Sequence, residues 1–152
     1  MATNRNFNGT QINQSVTIVE QAGANITDCR NRIMAYDDDG SVVLATSGDT
    51  IPVGVALIEA GYNDISGVES GKVSAGDDID IQIKDIGYVI TGEAIDKGTE
   101  VTASTDGKAA AASAGDYVLG IALSNTAKGG YCRVQIAKYQ KAAASAPAGN
   151  GN

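Results

Sequence analysis

From Asp78 the chain reads DIDIQIK, with Ile79, Ile81 and Ile83 on one side and Asp78, Asp80, Gln82 and Lys84 on the other. An apolar–polar alternation with a period of two predicts a strand with one buried and one wet face. YCRVQIA repeats the pattern: Cys132, Val134 and Ile136 alternate with Tyr131, Arg133 and Gln135. SVTIVEQ, Ser15 to Gln21, sets Val16, Ile18 and Glu20 against Thr17 and Val19, which leaves its inward face open. Further short strands are expected at YVIT, set off by Gly87, and at Thr99 to Ala103, after the turn Asp96-Lys97-Gly98. The run Lys108 to Ala112 is rich in alanine, a helix former. That preference is weak, and about five residues do not sustain helix nucleation without tertiary support. Asp106-Gly107 just before it is a hairpin-turn signal. The run therefore reads as a thin-sided strand leading into a loop at Ser113 to Asp116.

A longer pattern also returns. DGSVVLATSGDTIPVGVAL, from Asp39, aligns with DGKAAAASAGDYVLGIAL, from Asp106, once a single residue is skipped. GDDIDIQI, from Gly76, likewise matches GGYCRVQI, from Gly129. An internal duplication of a β unit explains both matches, and two copies are too few for a solenoid. The alanines stand where the first copy carries bulkier residues, so another strand or subunit can approach closely there. Together the segments predict an all-β fold: one small barrel or sandwich of short strands over residues 15–139. An arm at 1–14 and an Ala/Gly-rich tail at 140–152 flank it.

Composition narrows the class of function. Nineteen glycines against two prolines favour glycine turns between short strands, and one Phe with no Trp leaves an aliphatic core. Eleven basic and 18 acidic residues give a net charge of −7, which argues against nucleic acid and anionic membranes as partners. No apolar export segment or membrane-length run appears, so synthesis in the cytoplasm is expected and the sequons at Asn8, Asn13 and Asn25 read as chance matches. Cys29 and Cys132 match no metal or redox spacing. Cys132 reads as a core residue, and a disulfide between the two is disfavoured but left open.

Catalytic patterns are sparse. The chain has no histidine, which removes the commonest general base and most transition-metal sites. Tyr36-Asp37-Asp38-Asp39-Gly40 concentrates carboxylates but lacks the spacing of a calcium loop, so it reads as a hairpin turn. Lys97 sits in an Asp-Lys turn similar to that of lipoyl carrier domains. Gly and Thr follow it, however, and the remaining carrier-like segment lies on the wrong side, so it reads as a solvated turn lysine. No carboxylate pair stands out among the 18 acids. The expectation is a non-enzymatic protein with no cofactor and no metal.

Three segments carry a resemblance: VGVAL from Val53, GDDIDIQIKDIGYVITGEAIDKGTEVTASTDGKA from Gly76, and GDYVLGIALSNTAKGGYCRVQI from Gly115. In this order they resemble the small capsid cement, or head decoration, proteins of phages. The resemblance covers more than half of the chain and rests on turns and strands, with no functional side chains to carry over. It implies a β-barrel on the outer capsid surface of a virion, often a trimer, that clamps adjacent major capsid protein subunits. The arm residues Asn4, Arg5, Asn6 and Phe7 are the candidate capsid or subunit contacts. The alternative is a head-fibre or adhesin-like module for host carbohydrate, for which six Tyr offer stacking faces and the lack of Trp counts against.

Overall fold

The computed structural model describes residues 16–143. Ten strands follow in order: β1 (Thr17–Gln21), β2 (Ile33–Tyr36), β3 (Val42–Leu44), β4 (Pro52–Ala56), β5 (Asp78–Gln82), β6 (Ile86–Ile90), β7 (Glu100–Ser104), β8 (Lys108–Ala111), β9 (Tyr117–Ala122) and β10 (Tyr131–Gln140). The only helical turn among the described residues is a 3-10 turn at Thr105–Gly107. The strands form two five-stranded antiparallel sheets, β1-β5-β4-β2-β3 and β6-β10-β9-β7-β8. The second order is the first one repeated strand for strand, so the duplication read in the sequence is a duplication of topology.

The correspondence extends to register. Val55 lies opposite Gln82 as Ile121 lies opposite Gln135. The bulge between Met34 and Ala35 recurs between Val101 and Thr102. The parallel bridge Ala22–Val42, which joins the end of β1 to β3, recurs as Thr91–Ala109. That bridge links the two outermost strands of each sheet, so each unit curls into a small barrel. Gly54 and Gly120 hold the same place: a Cβ would overlap the carbonyl oxygen of Gln82 in one unit and of Gln135 in the other. Glycine there lets adjacent strands close up at the corner of the barrel.

Alternation fills each interior. Ile79, Ile81, Met34 and Val42 are fully buried in the first barrel, and Cys132, Val134, Val101 and Ala109 in the second. In β1, Ile18 packs inward while Val19, and Val16 just before the strand, are exposed, which settles the register that the sequence left open. The two thiols are free and sit in separate clusters, Cys29 in the first barrel and Cys132 in the second.

The barrels join asymmetrically. Ile33, Ala35, Ala45 and Val55 belong to the outer wall of the first unit, yet they share one apolar cluster with the interior of the second. The second barrel's mouth is made of small residues where the first has large ones. Gly87 stands in the place of Ile18, and Ala103 in that of Tyr36. A Cβ on Gly87 would lie 3.3 Å from Val55 Cγ2, and one on Gly107 would lie 2.7 Å from the Ile33 carbonyl oxygen. The alanine run is strand β8, as read, and its buried Ala109 faces the incoming wall. Asp106 and Gly107 turn the chain with φ of 61° and 67°, the left-handed pair of a tight hairpin.

Two expectations are corrected. Gln82 was assigned to a wet face but is buried, and its Nε2 donates to the carbonyls of Lys84 and Ile86 at 2.8 Å each. The neighbouring unit has taken the place of solvent there. Gly87 does not separate strands; it lies within β6, and the turn falls at Lys84-Asp85, where Asp85 has φ 65°. The ladder also runs past the tail boundary: Gln140 pairs with Tyr117, and the Lys141 amide donates to the Asp116 carbonyl at 2.8 Å.

Because Gly54 and Gly120 face the same strand contact, Gly54→Ala and Gly120→Ala should each cost about 1–3 kcal/mol. Urea unfolding measures this, and a variant with the wild-type midpoint would remove the argument at that position.

Candidate functional site

The sequence-selected contacts Asn4, Arg5, Asn6 and Phe7 lie outside the described residues. The acidic run forms a turn in which Asp37 Oδ1 accepts from the amides of Asp39, at 3.0 Å, and Ser41, at 2.9 Å. Among the described residues no three His, Cys, Asp or Glu side chains cluster as metal ligands would. Lys97 is exposed in its turn, held by its amide donating to Asn125 Oδ1 at 2.7 Å. Burial pushes the Cys29 thiol up to about 11, so it stays protonated at neutral pH.

What the surface offers instead is apolar, and it belongs to the first barrel. Its mouth opens as a groove of about 590 Å³ lined by Ile18, Tyr36, Ile51, Pro52, Val53 and Ile83. Lys138, reaching over from β10, closes one side and donates from Nζ to the Val53 carbonyl at 2.7 Å. Tyr36 is held upright by its hydroxyl donating to Glu20 Oε1 at 2.7 Å. In the second barrel the corresponding mouth is filled by the first barrel's wall; here nothing of the described chain fills it.

The opposite end of the first barrel carries a second feature. Eighteen residues separate Leu57 from Gly76, whereas five separate the corresponding Leu123 and Gly129, so the first copy holds a thirteen-residue insertion. Its neck is closed by Gly71 donating to the Tyr62 carbonyl at 2.7 Å and Tyr62 donating to the Lys72 carbonyl at 2.8 Å. Its tip is organised around Asp64: the Ser66 hydroxyl donates to the carboxylate, and the Ser70 hydroxyl donates to the Asp64 carbonyl at 3.1 Å. The Ser66 hydroxyl holds the Asp64 carboxyl below its ordinary pKa. This frame displays Ile65 and Val68, which are 107% and 85% exposed.

The insertion is tied to the barrel where the Cys29 amide donates to the Gly71 carbonyl at 2.9 Å, beside a bidentate pair of Arg30 Nε on Asp28 Oδ1 and Arg30 Nη2 on Asp28 Oδ2, both 2.9 Å. Gly71, at φ 84°, packs where a Cβ would overlap the Asp28 carboxylate. Partial burial by itself raises the Asp28 pKa, but the hydrogen bonds and charge of Arg30 outweigh it and hold the carboxyl below its ordinary value. Neither groove nor knob was found from the sequence. Laying out both repeats in full would have shown them, as unequal loop lengths and as Ile18 and Tyr36 against Gly87 and Ala103.

No family model and no curated protein matches the chain. Among solved structures it is similar to the head fiber gp8.5 N base of bacteriophage phi29, with a TM-score of 0.60 and 23% identity over 82% of this chain and 95% of that one. At that identity the likeness establishes the fold.

The Asp28–Arg30 pair is about one-third exposed, so its contribution is on the order of 1 kcal/mol or less. With the folded pKa below the unfolded value of about 3.9, that contribution is full above about pH 5 and fades as pH falls through the folded value. The gap in melting temperature between wild type and Asp28→Asn should therefore close on acidification. A gap unchanged down to pH 2 would count against the pair.

Proposed function

We propose that this chain is a structural protein of a phage virion. In this reading it is made in the host cytoplasm and bound to the outer surface of the head as a homo-oligomer, a trimer by the family resemblance. There it reinforces contacts between major capsid protein subunits and performs no catalysis. The observation that carries the reading is the fold shared over 95% of a head fiber base from a phage. The decoration-protein pattern of strands and turns in the sequence supports it independently. The physics is compatible: two interlocked barrels make a rigid body, the acidic balance limits nonspecific sticking, and repeated copies turn weak contacts into strong reinforcement. Asn4, Arg5, Asn6 and Phe7 are proposed as an arm that touches the capsid or a neighbouring subunit.

A second reading, the foot of a head fibre or an adhesin-like module for host carbohydrate, is favoured by the same neighbour's description as a fiber base. Tyr62 and Tyr131 are 59% and 50% exposed and offer rings of the kind that stack on sugars.

Co-sedimentation with purified heads lacking the protein, followed by heating, separates the readings. Reinforcement gives saturable binding and heads that rupture at a higher temperature. Saturable binding without stabilisation favours the fibre foot, and no binding removes reinforcement and fibre foot alike, leaving the carbohydrate module. Deleting residues 2–10 should weaken binding; unchanged binding would refute the arm.

A further inference from the structure

The duplicated architecture indicates what the open mouth of the first barrel accepts. In the second barrel the corresponding mouth is filled by aliphatic side chains, Ile33, Ala35 and Val55, presented from outside by another unit. Ile18 and Tyr36 narrow the first mouth where Gly87 and Ala103 leave the second one wide. A whole sheet does not fit, whereas one or two aliphatic side chains on a compact turn do. The described chain presents such a turn once: Ile65 and Val68, on the frame built around Asp64, are its most exposed large apolar residues.

The two features cannot meet within one molecule. The groove opens at the end where Thr17 pairs with Gln82, whereas the insertion leaves from the end where Gln21 pairs with Asp78. They are separated by a strand length, roughly 15 Å. Charge matches across copies. Lys138 borders the groove and forms no ion pair among the described residues, its Nζ donating only to the Val53 carbonyl, while Asp64 and Glu69 flank the two aliphatic side chains of the tip. Glu69 pairs with Lys72 at 3.2 Å, a solvent-exposed pair whose carboxylate can take a second lysine.

We propose that the groove binds the 62–69 turn of a second copy of this chain, with Ile65 and Val68 seated against Ile18, Tyr36 and Val53, and with Lys138 facing Glu69. The contact joins two different surfaces, so it is heterologous, and repeating it produces a ring when the rotation closes. It goes beyond the virion reading, because it holds whatever surface the assembled ring attaches to.

The test is sedimentation velocity of the full chain over a concentration series. Wild type should associate into a species of fixed mass, a multiple of 15.4 kDa. Ile65→Asp and Val68→Asp should each raise the concentration of half-association about tenfold or more, because each places a charge where an aliphatic side chain is buried. Both positions are solvent-exposed in the monomer, so thermal unfolding of these variants at low concentration should match wild type and exclude misfolding. Lys138→Glu should weaken association, and Lys138→Glu with Glu69→Lys should restore it. A wild type that stays at 15.4 kDa throughout would overturn the proposal. So would Ile65→Asp and Val68→Asp assembling like wild type, or a charge swap that fails to rescue.

Discussion

The structure depends on one contact, the outer wall of the first barrel against the interior of the second. Neither five-stranded unit is large enough to bury an adequate core alone, and a chain this short has little apolar area to spare. By presenting Ile33, Ala35 and Val55 outward, the first unit supplies what the second lacks. Gly87, Ala103 and Ala109 are the matching concession on the other side, since bulkier residues would hold the wall away. Packing at interior density rewards such exact removal of side-chain volume. Hydrogen bonds cross this joint, although Asn31 Oδ1 and Arg32 Nε are buried there without a partner. The Asn31 side-chain amide donates to the Tyr88 carbonyl at 2.9 Å, and the Gly107 amide donates to the Ala45 carbonyl at 2.8 Å.

Much of this was legible in the sequence, for a physical reason. Strand alternation and left-handed turns are local, so Ile79, Ile81, Cys132 and Val134 and the Asp106-Gly107 hairpin announce themselves. The duplication was legible because both copies keep Gly54 and Gly120 at the same strand approach. Gln82 and Gly87 were misread because their surroundings are supplied by residues distant in the chain. Gln82 sits on what would be a wet face in an isolated barrel, and Gly87 is small because Val55 lies against it. The groove was missed for a different reason: a mouth left open is a difference between copies, and it shows only when both repeats are laid side by side in full, Ile18 and Tyr36 against Gly87 and Ala103.

The first copy has diverged toward the outside world and the second toward its partner. Tyr36 and Ile18 face an open groove and the thirteen-residue insertion carries exposed aliphatics, whereas the corresponding places of the second copy are a buried alanine, a buried glycine and a short turn. Duplication thus separated two tasks that a single barrel would have had to combine, holding the fold together and presenting a surface.

The far wall of the second barrel completes this division. Where the first wall carries Ile33, the second carries Glu100, which accepts from the Tyr139 hydroxyl at 2.6 Å and pairs with Lys141 Nζ at 2.5 Å. Where the first carries Ala35, the second carries Thr102, whose hydroxyl donates to the Tyr117 carbonyl at 2.7 Å. A third barrel would have to strip water from a satisfied ion pair to stack there. The molecule therefore counts to two and stops: its stacking mode is consumed internally and cannot run on into a fibre by the same contact.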